Sequence, residues 1–127
     1  PTYLYNWFGH ELTFVASTTP LDAGEYEIIL TYHHDGGFGA GGEATLSVNG
    51  VSVASNRIPR TVPVIYSMSG ETFDVGRDTG SPVGPYPHNF AFSGHIESVT
   101  LTRLSEPNDA TRKAERKGQF QASLSSQ

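Results

Sequence analysis

Residues 37–54 read GFGAGGEATLSVNGVSVA, and their reading decides the fold. Gly37 to Gly42 fit G-x-G-x-x-G, the spacing that cradles a dinucleotide pyrophosphate. Such a loop needs a helix directly after it, because the helix N-terminus supplies amides and positive dipole to the phosphate. The next residues are instead Glu43-Ala-Thr-Leu-Ser-Val48, which alternate polar and apolar and run into Asn49-Gly50. Asn-Gly is the preferred pair for a two-residue type I′ hairpin. That register sets Val48 opposite Val51 and Leu46 opposite Val53, with all four on one face and Ser47 and Ser52 on the other. Turn chemistry and hydrophobic pattern agree on a β-hairpin. The glycine motif is therefore a compositional coincidence, and the run is a flexible connection between strands.

Outward from the hairpin, the chain continues as β. In Glu25 to His34, Tyr26, Ile28, Leu30 and Tyr32 share one face, while Glu25, Glu27, Thr31 and His33 take the other, the mark of a half-buried strand. Glu11 to Ser17 groups Leu12, Phe14 and Ala16 in the same way, and Thr19 to Gly24 is a run of turn formers between these two strands. Further strands are expected at Val62–Tyr66, Thr72–Val75 and Phe90–Leu104. In the last, Ile96, Val99 and Leu101 can face inward together only with an extra residue near Glu97-Ser98, which predicts a β-bulge. The expectation is a β domain over residues 1–106, followed by 107–127. In that tail Asn108 or Asp109 can cap a short helix with acid first and Lys and Arg later. Its apolar content before Gly118 is Ala110 and Ala114 alone, so a frayed tail has equal standing.

Composition narrows the function. The chain has 127 residues, a net charge of −5 and no Cys. The charge argues against nucleic acid or an anionic membrane surface as partner, and absence of Cys excludes disulfides and thiolate metal sites. No apolar run approaches the ~18 residues of a membrane-spanning helix. The chain starts at Pro1 with neither Met nor a signal-like segment, as a processed product or excised fragment would. Composition assigns no compartment; a cytoplasmic and a periplasmic setting both fit.

Candidate site residues lie in loops. Phe38 is the one large side chain within a run of glycines, and with Gly39 and Gly41 beside it is a candidate contact for a ligand or a neighbouring domain, as is Arg77. His33 and His34 are successive strand residues and point to opposite faces, so they do not converge on one metal. Asp74 and Asp78 with nearby carbonyls offer hard oxygens of the kind Ca²⁺ takes. Arg77 lies between them, and an Asp/Arg-bonded turn satisfies the same residues with fewer ligands than Ca²⁺ asks. Tyr3, Tyr5, Trp7 and Phe8 are aromatics for core packing or for stacking on a sugar. No nucleophile or acid–base arrangement stands out by spacing.

Taken together, PTYLYNWFG, the stretch ELTFV to RTVP, ETFDVGRDTGSPV and FAFSGHIESVTL resemble the C-terminal region of large bacterial arylsulfatases over residues 1 to about 104. The ordered set of Gly-rich loop, V-N-G hairpin, D-V-G-x-D-x-G-S-P-V and F-x-F-x-G-x-I carries the resemblance. The last motif is also similar to laminin-G-like and concanavalin-like jelly rolls. The resemblance implies an antiparallel β-sandwich of that type, lacking some upstream strands. It implies a non-catalytic accessory domain acting in stability, active-site rim or oligomer contacts. The partner would be an upstream sulfatase catalytic domain that uses formylglycine and a divalent metal. This chain has no Cys, and its only S-x-P, Ser105-Glu106-Pro107, has Asp109 where the family requires Arg. No catalytic residue carries over, no cofactor is expected in this chain, and it is not expected to be an enzyme alone. A second copy in a twofold dimer is the simplest way to fill the missing strands. The competing reading is a lectin-like carbohydrate- or ligand-binding module.

Overall fold

The computed structural model describes residues 1–63 and 73–104, together with 113, 116 and 117. It is all-β and antiparallel over the described elements, in two sheets. The first sheet is a hairpin of β1 (Thr2–Trp7) and β2 (Glu11–Ala16), in register from Thr2↔Ala16 to Trp7↔Glu11. The turn between them puts Phe8 (φ 52°) and Gly9 (φ 74°) in the left-handed region. Asn6 holds it: its Oδ1 accepts from the Gly9 amide at 2.6 Å. The second sheet runs β3 (Ile28–His34), β4 (Ala40–Val48), β5 (Val51–Arg60), with β4 central.

The Asn49-Gly50 turn is formed as the sequence predicts. Asn49 (φ 49°) and Gly50 (φ 79°) both take positive φ, as a type I′ turn requires, and Val48 pairs with Val51. Beyond that pair the register differs from expectation. Ser47 pairs with Ser52 but Leu46 pairs with Ala54, so the ladder slips between Leu46 and Ser47. Val53 is the extra residue on β5, and Leu46 and Ala54 share the core face. The bulge thus lies here and not at Glu97-Ser98. Among the described residues Phe90–Leu104 contributes only an isolated bridge, Ala91 with Arg77. A bulge needs a ladder, and no described strand lies beside 94–104 to make one. Phe73–Val75 is likewise not a strand, whereas Val62–Tyr66 falls mostly outside the described residues. The expected C-terminal element at 107–127 also lies outside them, apart from Lys113, Arg116 and Lys117, which have helical backbone.

The core is small and sits where the two sheets meet. Val15 of β2, Ala44 and Leu46 of β4 and Ile58 of β5 are buried, with Tyr3, Tyr5, Tyr32, Val53 and Ala54 packed around them. This reverses one expectation. Leu12, Phe14 and Ala16 do share a face of β2, but that face is exposed, and Val15 points inward at 1% exposure. The side of β2 that meets β4 and β5 decides this, and alternation then puts the bulkier pair outside. The Asn56 side-chain amide donates to the Phe14 carbonyl at 2.9 Å and ties β5 to β2. Pro59 sits in β5 between the paired residues Ile58 and Arg60; among the described strands β5 is at the edge, where a missing N–H is tolerated.

Candidate functional site

The glycine-rich run is two different structures. The β3–β4 connection is only residues 35–39, closed by the Asp35 amide donating to the Gly41 carbonyl at 2.9 Å. Strand β4 begins at Ala40, so Gly41 and Gly42 are buried strand residues and not loop. They are glycine because neighbouring strands crowd them. A Cβ on Gly41 would lie 2.5 Å from the Pro59 carbonyl oxygen, and one on Gly42 would lie 2.6 Å from the Tyr32 hydroxyl. Gly41 therefore offers no surface to a ligand. Gly39 (φ 68°) turns the chain into β4, and its carbonyl accepts from the Thr61 amide at 3.1 Å. The Thr61 hydroxyl donates to the Ala40 carbonyl at 2.7 Å, so this loop is anchored at its base. Phe38 stands at its tip, 37% exposed.

Arg77, Asp74 and Asp78 belong to a second loop system, residues 73–92. Asp74 Oδ2 accepts from both the Thr79 amide (2.9 Å) and the Thr79 hydroxyl (2.7 Å). Those bonds hold its carboxyl below the usual range, the hydroxyl contributing most. Asp78 Oδ2 accepts from the Tyr86 hydroxyl at 2.7 Å and from the Val83 amide at 3.3 Å. Partial burial, and then the Asp78 bond, push the Tyr86 phenol above its ordinary value. The Val83 carbonyl in turn accepts from the Asn6 side-chain amide at 2.7 Å, which seats the loop on β1. The carboxylates thus serve as internal ties of the turn. The Asp/Arg-bonded turn expected from the sequence is not what forms: Thr79 and Tyr86 bond the two carboxylates, and Arg77 pairs with Ala91 through the backbone. No group of three or more potential ligands capable of holding a metal occurs among the described residues.

The sequence-derived candidates therefore do not converge. Phe38 and Gly39 line one large open cleft of about 2580 Å³, whereas Gly41, Arg77, Asp74 and Asp78 do not. The walls of this cleft are the outer side of β3 with its approach from Leu21, and residues from the segment Phe90 to Leu104. Small-molecule sites run to ~300–1,000 Å³; this space is of a different scale.

Two polar clusters were not legible in the sequence. Arg57 of β5 forks onto Asp35 at the end of β3, with Nη1 3.3 Å from Oδ1 and Nη2 bonded to Oδ2. The bond to Arg57 holds the Asp35 carboxyl below its ordinary value and raises that of Arg57. Arg60 donates through Nε (3.1 Å) and Nη2 (2.8 Å) to Glu11 Oε2, with its guanidinium 4.2 Å from the Trp7 ring centroid. That cation–π stack packs Trp7 against the sheet, with Phe8 edge-on at 5.3 Å. Each pair joins residues 22 or 49 positions apart, so only the fold brings them together.

Comparison with protein-family models, curated proteins and solved structures gave no match.

Proposed function

We propose that this chain is the non-catalytic C-terminal accessory domain of an arylsulfatase, built to pack against more polypeptide than it contains. Its two sheets are then layers of an incomplete β-sandwich of laminin-G or concanavalin type. The ordered motifs over residues 1 to about 104 support the family. The observation that carries the accessory role is the apolar surface left uncovered. Ile28, Ile29 and Leu30 are consecutive exposed strand residues, and Leu12 and Phe14 cover the outside of β2. Phe90, Phe92, Val99, Leu101 and Leu104 add to them, Leu101 at 81% exposure. Exposed apolar side chains, where they form one patch, mark surfaces that another component covers. Formylglycine and a divalent metal belong to the upstream catalytic domain in this reading, and this chain supplies rim, stability or oligomer contacts.

The test is to read the gene upstream of Pro1 and to assay the purified chain. A C/S-x-P-x-R several hundred residues upstream, and no turnover of 4-nitrophenyl sulfate by the chain alone, are expected. An open reading frame without that motif overturns the family. Saturable binding of sulfated sugars by the isolated chain favours a lectin-like module instead.

A further inference from the structure

We propose that the cleft between β3 and residues 94–104 is a strand-acceptor groove that takes one extended polypeptide segment, with alternate residues apolar and the intervening ones basic. The inference rests on the open sheet edge and not on the sulfatase resemblance, so a parent gene without the sulfatase motif leaves it standing.

The hydrogen-bond pattern shows which groups wait at the edge. The Asn49 amide donates to the Glu27 carbonyl at 2.8 Å, and the Asp35 amide to the Gly41 carbonyl at 2.9 Å. In an antiparallel pair, residues alternate between bonding their neighbour and facing away from it. Since Glu27 and Asp35 face β4, the odd-numbered residues between them do too. The N–H and C=O groups of Ile28, Leu30 and His34 therefore face the cleft, and no described strand lies on that side of β3. Across the cleft, residues 94–104 carry neither helix nor strand and form no ladder among the described residues. The open edge of β3 beside this gap defines a place for a strand that bonds to β3 and packs against residues 94–104, the β-augmentation mode of peptide recognition.

The side chains state the chemistry of the occupant. Ile28 and Leu30 pair across β4 with Val48 and Leu46, so they lie on the core face. An inserted strand continues that face only if every second residue is apolar. The polar rim is mainly acidic among the described residues: Asp22, Glu25, Glu27 and Glu97 line the cleft, with Arg103 and the Pro1 terminus as its cationic groups. Asp35 is already matched by Arg57. Lysine or arginine at the alternate positions complements this rim.

The probe is an acetylated, amidated heptapeptide alternating valine with lysine, titrated into the full 127-residue chain and followed by amide NMR and hydrogen exchange. Expected is saturable binding with at least tenfold slower exchange at Ile28, Leu30 and His34, and shifts across 96–104. A peptide N-methylated at the amides that would meet β3, or one with glutamate for lysine, is expected to bind at least tenfold more weakly. Both controls alter the probe and leave the protein's fold untouched. Equal binding of the N-methylated peptide, protection confined to another face, or no binding overturns the proposal. So does a concentration-dependent sedimentation coefficient that accompanies protection of the same three amides without peptide, which makes a second copy the occupant.

Discussion

Asn49 and Glu27 are joined by two reciprocal bonds: the Asn49 amide donates to the Glu27 carbonyl at 2.8 Å, and its side-chain oxygen accepts from the Glu27 amide at 2.9 Å. One residue thus closes the β4–β5 turn and fixes the start of β3. Asn49 also sits at φ 49°, where Asn is tolerated and most residues lose about 1–2 kcal/mol. Asn49→Ala is expected to destabilise by about 2–3 kcal/mol, combining that penalty with the lost bond of about 1 kcal/mol. Asn49→Gly keeps the backbone and loses only the side-chain bond. Urea denaturation of the three proteins checks the order wild type, Asn49→Gly, Asn49→Ala; equal midpoints for the two variants refute it.

Gly41→Ala and Gly9→Ala separate crowding from conformation. At Gly41 the added methyl collides with the Ile58 and Pro59 carbonyls, which are backbone and cannot step aside. At Gly9 nothing lies within 4 Å, and only the positive φ is at stake. Gly9→Ala is expected to cost about 1–2 kcal/mol. Gly41→Ala is expected to cost more than about 3 kcal/mol or to prevent folding. Circular dichroism and thermal melting read the difference.

The inward face of β2 can be checked by truncation. Ile58→Ala removes a buried side chain and is expected to cost about 2–5 kcal/mol. Leu12→Ala and Phe14→Ala, on the exposed face, are expected to stay within about 1 kcal/mol in the isolated chain. If Phe14→Ala is as damaging as Ile58→Ala, then β2 is turned the other way.

Asp74 gives a signed pH dependence. Its carboxyl is depressed below the ordinary 3.8 by the Thr79 bonds. A depressed carboxyl stabilises the fold at every pH above its unfolded value, and that contribution disappears as pH falls through the folded value. Loosening of the 73–83 loop is therefore expected below about pH 4 and not in the neutral range. The Thr79 amide resonance should follow it. In Thr79→Val the hydroxyl donor is gone, and the Asp74 titration should move up towards the ordinary value.

The range of each interaction decides how much of this was written in the sequence. Asn49-Gly50 is a local instruction, and it set the turn and the alternation of β4 with no help from elsewhere. The facing of β2 is different: alternation groups Leu12 with Phe14 and Thr13 with Val15, but it does not say which group meets β5. That was settled by Ile58, over forty residues away, and the greasier face lost. The slip at Leu46/Ser47 is equally invisible, because Val53 and Ala54 both read as apolar. Phe90–Leu104 has strand-like residues but no described neighbour to pair with, and propensity alone makes no ladder. In the candidate site, Phe38 was legible as an isolated large residue on glycines, and the Asp74–Asp78 turn as a polar knot. Gly41 was misplaced because a glycine needed for close packing looks the same in sequence as one needed for bending. The Arg57–Asp35 and Arg60–Glu11 pairs carry no spacing signal at all.

Pro59 has a consequence for assembly. Lying in the outermost described strand on one side, it denies an amide to anything that would extend the sheet in that direction, while no described strand pairs with the opposite margin at β3. A ribbon with one receptive margin and one blunted margin can accept an addition without passing the invitation along, so enlargement halts after a single step. Replacing Pro59 by a residue with an N–H would restore the second margin, and fibrous deposits in concentrated solution are the outcome to watch for.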